Sequence, residues 1–167
     1  MNKKIFSENC NLSSYTTIKV GGVAEYFAEP KNVDEFSYLI KWANLNKQKC
    51  QIIGAGSNLL INNIFIKGLV ICTKKMKSLK IDPYSGIVEA EAGVMLPTLS
   101  NYLAKNRLQG AEWAVGIPGT IGGAIYMNAG TGNLSLAKNL ISVKVINNKT
   151  HEKFEIEKKD INFEYRF

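Results

Sequence analysis

Gly116-Ile117-Pro118-Gly119-Thr120-Ile121-Gly122-Gly123-Ala124 is the stretch on which the fold turns: four glycines, a proline and a threonine in nine residues. It lies within a charge-free run from Trp113 to Ala137 that holds six glycines. Glycine weakens the interior of a strand or helix, so a hydrophobic core has no use for so much of it. A main chain that must lie flat against a ligand does. N–H groups gathered along such a backbone can hold an anion such as a pyrophosphate without a lysine, which suits the missing charge. Asn128 follows soon after as a short polar side chain.

A second loop shares this character. Gly54-Ala55-Gly56-Ser57-Asn58-Leu59-Leu60 follows the apolar run Gln51-Ile52-Ile53. Its glycines allow N–H groups to converge on one concavity, and Ser57 and Asn58 add hydrogen-bonding side chains. It is not the Rossmann fingerprint: the third glycine is missing, and no strong helix with an acid about 20 residues on follows it. A tight turn between strands would use the same residues. Taken together, the two loops suggest a dinucleotide gripped from two sides.

The bulk numbers set limits. The chain has 167 residues, 46% of them apolar and 21% charged, which suits one large domain or two small lobes. The net charge of +7 comes from scattered lysines, dense only at Lys74, Lys75, Lys77 and Lys80. No recognisable nucleic-acid-binding motif accompanies them, so a solvated surface is the reading and nucleic acid is not an expected partner. Cys10, Cys50 and Cys72 are widely spaced and have no metal-ligand pattern, so no metal site and no disulfide framework are expected. The first ten residues lack an apolar signal segment, and the charge-free run is broken by Pro118 and its glycines. A cytoplasmic protein without a membrane span is therefore expected.

The periodicities predict an α+β chain in two lobes, residues 1–73 and 74–167. In the first, residues 16–29 read as extended around Gly21-Gly22. A helix follows, capped by Asn32 with Glu35 in capping-box position and with Val33, Phe36, Leu39, Ile40 and Ala43 on one face. Two strands come next, around Gln51–Ile53 and Ile66–Thr73. The lysine-rich run after them reads as a hinge or a surface strand. In the second lobe, residues 79–93 read as a hairpin turning at Asp82-Pro83-Tyr84-Ser85-Gly86. Pro97 opens a helix lined by Leu96, Leu99 and Leu103. Two strands flank a turn at Asn147–Thr150. One or two helices are expected in this lobe. The only histidine, His151, is placed in that turn on the surface.

Four blocks occur in order: Thr16-Thr17-Ile18-Lys19-Val20-Gly21-Gly22, Gly54 to Leu60, Trp113 to Gly130, and Tyr165-Arg166-Phe167. In order and spacing they resemble the N-terminal half of the UDP-N-acetylenolpyruvoylglucosamine reductases. Lys19 stands where arginine is common in that family. The resemblance implies the two-lobed FAD-binding fold of the p-cresol methylhydroxylase and vanillyl-alcohol oxidase type. It implies that Gly54, Ala55, Gly56, Ser57, Asn58 and Leu59 hold the pyrophosphate. Gly116, Ile117, Pro118, Gly119, Thr120, Gly122, Gly123 and Asn128 would lie along the pyrophosphate and the flavin.

Tyr165 and Arg166 match the family's Tyr-Arg-x-Ser motif, in which the Tyr faces substrate and the Arg is catalytic. NADPH would be the hydride donor and a UDP-sugar enol ether the substrate. Because His151 stands apart from the loops, FAD is expected to be non-covalent. Reduction of the enol leaves a negative charge that Arg166 would stabilise and a general acid would quench. The family's proton-donating serine and assisting glutamate have no counterpart before Phe167, so this stretch is expected to bind FAD without turning over the UDP-sugar. A non-catalytic flavin- or nucleotide-binding module is the alternative.

Overall fold

The structure, a computed structural model, describes residues 5–62 and 64–163. Its first layer is a four-stranded sheet in the order β1-β2-β4-β3, built from β1 (Ser7–Asn11), β2 (Val23–Ala28), β3 (Cys50–Ile53) and β4 (Phe65–Cys72). β2 and β3 both run parallel to β4, and β1 closes the other edge antiparallel to β2. α1 (Val33–Leu45) is the crossover that carries the chain from β2 to β3, parallel to it at the far edge, with β4 later filling the place between them. Asn32 Oδ1 accepts from the N–H groups of Asp34 and Glu35 at 3.1 and 2.9 Å. The Glu35 carboxylate reaches back to Lys31 N at 2.8 Å, one residue before the position a capping box would use.

Both faces of this sheet are covered. Leu39, Ile40 and Ala43 of α1 pack on Leu69, Ile71 and Ala28. Leu12, Ile53, Ile66, Val70 and Cys72 form a second cluster with Ala24 and Phe27 on the other side. One level of the sheet is irregular. Asn9 and Gly68 have φ of 53° and 92°, and the β2–β4 register shifts between Ala24 and Tyr26. The Glu25 carboxylate accepts from Gly68 N at 2.8 Å there. A Cβ on Gly68 would stand 2.3 Å from Lys49 O.

The rest of the chain collects around a third cluster. Val94, Leu96, Leu99, Ala111, Trp113, Ala114, Ile121, Ala124 and Leu136 are all buried in it. They come from α2 (Leu96–Lys105), a 3-10 turn over Glu112–Gly116, α3 (Ile121–Tyr126), α4 (Leu136–Asn139) and the segments beside them. The hairpin β5 (Leu79–Ile81)–β6 (Val88–Ala90) turns on Asp82, whose Oδ1 accepts from Tyr84 N and Ser85 N. A short pair, β7 (Gly130–Thr131) and β8 (Leu134–Ser135), precedes α4. The hairpin β9 (Ser142–Ile146)–β10 (Lys153–Glu157) is the last pair of strands among the described residues.

Several expectations need correction. Residues 16–22 are not strand; only Val23–Ala28 is, and the edge strand Ser7–Asn11 is an addition to the expected elements. Val33 lies on the predicted apolar face of α1 yet is exposed, because it opens the first turn, outside the cluster that Leu39, Ile40 and Ala43 form with the sheet. The lysine-rich run is strand only at its end: a 3-10 turn takes Thr73–Lys75, and β5 begins at Leu79 and includes Lys80. The second part of the chain holds three helices among the described residues, since glycine-rich residues 121–126 are helical. His151 is in the expected turn but is half-buried. Its Nε2 lies 3.0 Å from Asn44 Nδ2 of α1, which also donates to Asn148 O. A 2.7 Å ion pair between Lys153 and Asp34 docks the same hairpin on α1.

Candidate functional site

The two glycine loops meet. Ser57 Oγ donates to Pro118 O at 2.8 Å. Thr120 is 1% exposed, and its Oγ1 would stand 2.3 Å from a Cβ on Gly54. Gly54 therefore lacks a side chain because the threonine hydroxyl fills that space. Gly54 O also accepts from the Cys72 thiol at 3.5 Å, and burial pushes that thiol up, holding its proton.

The first loop rests on the Thr16–Gly22 segment. Thr17 N donates to Gly56 O at 3.1 Å, and buried Thr16 closes its own turn by donating to Val20 O at 2.7 Å. Gly56 has φ of 67°, and a Cβ there would stand 2.0 Å from Tyr15 O. Two separate constraints thus demand glycine at this position. The polar start of the Thr16–Gly22 block is scaffolding for the loop. Among the described residues, the N–H groups of Ala55, Gly56, Ser57 and Asn58 donate to no acceptor. Asn58 and Leu59 are exposed beside them.

The second loop is tied down by its own neighbours. Gly119 O accepts from Leu96 N at 2.9 Å, Ile121 N donates to Val94 O at 2.8 Å, and Gly122 N donates to Ala92 O at 2.9 Å. Thr120 caps α3 by accepting from Gly123 N at 3.4 Å. Gly122 must be small, because a Cβ there would lie 2.9 Å from Ala92 Cβ. Gly116 and Gly123 differ. Both are exposed and neither has a positive φ; a Cβ on Gly116 would meet nothing within 4 Å, and one on Gly123 only Thr120 Oγ1 at 3.5 Å. Nothing in the fold requires glycine at these two positions. Ile117 is half-buried under the loop, Pro118 is exposed, and Asn128, with φ of 44°, follows the end of α3.

Of the sequence-predicted loop residues, Gly54 and Ser57 on one side and Pro118, Gly119 and Thr120 on the other meet at one seam. Tyr165 and Arg166 lie outside the described residues. No charged side chain belongs to either loop. Among the described residues, no group of three His, Cys, Asp or Glu side chains is placed to hold a metal. No helix there is long and apolar enough to cross a membrane. The seam offers unspent N–H donors on one side and bare glycine backbone on the other. That chemistry suits a ligand with a bridging diphosphate and a flat ring system, and an FAD molecule has both. Sequence reasoning missed two residues that build the seam: Tyr15, which supports Gly56, and Ala92, which packs on Gly122; neither carries a signature apart from its partner.

Residues 24–151 match the FAD binding domain family. A UDP-N-acetylenolpyruvoylglucosamine reductase from Prochlorococcus marinus subsp. pastoris is 72% identical over 97% of this chain and 55% of its own length. One from Synechococcus sp. (strain RCC307) is 43% identical, over 93% of this chain and 51% of its own. The chain thus spans about half the length of the curated relatives it matches. Among solved structures, the UDP-N-acetylenolpyruvylglucosamine reductase of Thermus caldophilus is similar, with a TM-score of 0.76 and 29% identity over 94% of this chain and 54% of that one. The 6-hydroxy-D-nicotine oxidase of Arthrobacter nicotinovorans shares only the fold, with a TM-score of 0.67 at 16% identity over 87% of this chain and 32% of that one. The α+β fold is the two-lobed FAD-binding fold of the p-cresol methylhydroxylase and vanillyl-alcohol oxidase type. The match runs through β2, across the seam and into the last hairpin, and on that ground the chain belongs to the FAD binding domain family.

Proposed function

We propose that this chain is the FAD-binding part of a cytoplasmic UDP-N-acetylenolpyruvoylglucosamine reductase, which reduces UDP-N-acetylglucosamine enolpyruvate with NADPH during peptidoglycan synthesis. The observation that carries the reading is the closure of the two glycine loops on each other through Ser57 and Pro118. The identity to the Prochlorococcus reductase supports the choice of reaction. The lobes divide near Thr73, with the seam between them.

In this reading the N–H groups of Ala55 to Asn58 bind the diphosphate. The backbone at Gly116, Gly119 and Gly123 carries the ring system, with Asn128 beside it. Bound FAD supplies the hydride chemistry; the chain binds it, orients it and keeps water from one face. FAD is held non-covalently, because His151 is engaged with Asn44 in a turn separate from the loops. Tyr165 faces the substrate, and Arg166 offsets the negative charge that develops on it. The general acid is not among the residues of this seam, so the UDP-sugar reaction needs more than the seam contains.

The test is to mix the purified chain with excess FAD, desalt it and record its visible spectrum. Retained flavin bands are expected. A folded but colourless protein would overturn the claim that these two loops alone grip the cofactor.

A further inference from the structure

We propose that Ser57 is a positioning residue that sets the gap between the two loops and does not donate to the diphosphate. A serine hydroxyl has one proton. Here that proton goes to Pro118 O at 2.8 Å, across the seam. The remaining lone pairs accept and do not donate, so they repel phosphate oxygens. The neighbouring main-chain N–H groups of Ala55, Gly56 and Asn58 are the unspent donors.

The surroundings support a clasp. Ser57 Oγ lies 3.6 Å from where a Cβ on Gly119 would stand, so the hydroxyl is seated against the backbone of the facing loop. On the same seam, Thr120 fills the space Gly54 leaves. One contact is steric and fixes how close the loops come; the other is a directed hydrogen bond and fixes their offset. The Pro118 ring fixes φ at that residue, which limits how this part of the loop can shift beneath the bond.

The part of the proposal that concerns diphosphate rests on the FAD reading; the clasp itself does not. The experiment therefore has a ligand-free arm. Amide hydrogen exchange is followed in the FAD-free chain for the wild type, Ser57→Ala and Ser57→Thr. Loss of one hydrogen bond should speed exchange of bonded amides on both sides of the seam by about five-fold in Ser57→Ala: Thr17, which donates to Gly56 O beside Ser57, and Ile121 and Gly122 on the facing side. Ser57→Thr, which keeps the hydroxyl, should restore both. Unchanged exchange in Ser57→Ala, or acceleration confined to the Ser57 side, would overturn the clasp. Should Ser57→Ala fail to fold, Ser57→Cys, a weaker donor, is expected to give a smaller rise at both segments, and no rise would be equally fatal.

In the second arm, binding of FAD is titrated by flavin fluorescence. A clasp predicts a several-fold loss of FAD affinity in Ser57→Ala that accompanies the faster exchange on both sides of the seam. A loss of FAD affinity with exchange unchanged would show a direct phosphate donor and overturn the positioning role. A wild type that does not bind FAD would sink the FAD reading and leave the exchange result to judge the clasp by itself.

Discussion

Gly123→Ala should move stability and affinity in opposite directions. Gly123 is the third residue of α3, exposed, without a positive φ, and a Cβ there makes one ordinary contact, with Thr120 Oγ1 at 3.5 Å. Alanine in a helix is favoured over glycine by about 0.5–1 kcal/mol, so the FAD-free chain should gain about that much. For a chain of this size the melting temperature should rise by roughly 1–4 °C. The same methyl would hold a flat ligand away from the backbone by roughly 1 Å, enough to forfeit a quarter to a half of each dispersion contact. A loss of at least about ten-fold in FAD affinity, roughly 1.4 kcal/mol, is expected. Thermal unfolding without ligand and fluorescence titration with FAD read the two effects separately. A stabilised variant with unchanged affinity would refute the reasoning, because the glycine would then serve nothing. Gly122→Ala is the internal contrast: its Cβ would lie 2.9 Å from Ala92 Cβ, so it should lose stability.

Other outcomes follow from the same geometry. Gly56→Ala combines a left-handed φ of 67° with a Cβ 2.0 Å from Tyr15 O, so a loss of at least about 2 kcal/mol is expected by urea unfolding. Asn44→Ala removes the donor shared by Asn148 O and His151 Nε2 and should cost about 1–2 kcal/mol, whereas Asp34→Asn, breaking the exposed ion pair with Lys153, should cost under about 1 kcal/mol. Burial pushes the Cys50 thiol up to about 11 from an ordinary value of 9.0. The folded state therefore holds that proton more tightly than the unfolded one. The contribution is complete below pH 9.0 and fades as pH rises toward about 11. Cys50→Ala should flatten the fall in urea midpoint between pH 9.0 and about 11, the range set by that shift; an unaltered slope would assign it elsewhere.

Local rules make much of the fold legible in the sequence. Asn32 and Glu35 announce α1, Asp82 to Gly86 the hairpin turn, and Pro97 the start of α2, because each rule is satisfied within a few residues. The strand Ser7–Asn11 carries no such signal because it is an edge: its residues are largely exposed and show no alternation of apolar and polar. Helix α3 is hidden because its glycines lower helix propensity, and what holds it is tertiary, the Thr120 cap and the bonds to Val94 and Ala92. The two loops stand out in the sequence, but the division of labour among their glycines does not. Gly54 answers to Thr120, Gly56 to Tyr15 and Gly122 to Ala92, all distant in sequence, while Gly116 and Gly123 answer to nothing in the chain.

The contact between Gly54 and Thr120 bears on how such a protein can change over generations or in a designer's hands. Any side chain at position 54 requires the hydroxyl at position 120 to be given up, and a larger residue at 120 finds no room. Those two positions, with Ser57 and Pro118 beside them, behave as one heritable unit split between distant stretches of chain. A chimera that grafts a foreign lobe onto this one should assemble only when the donor brings the matching half of that unit with it.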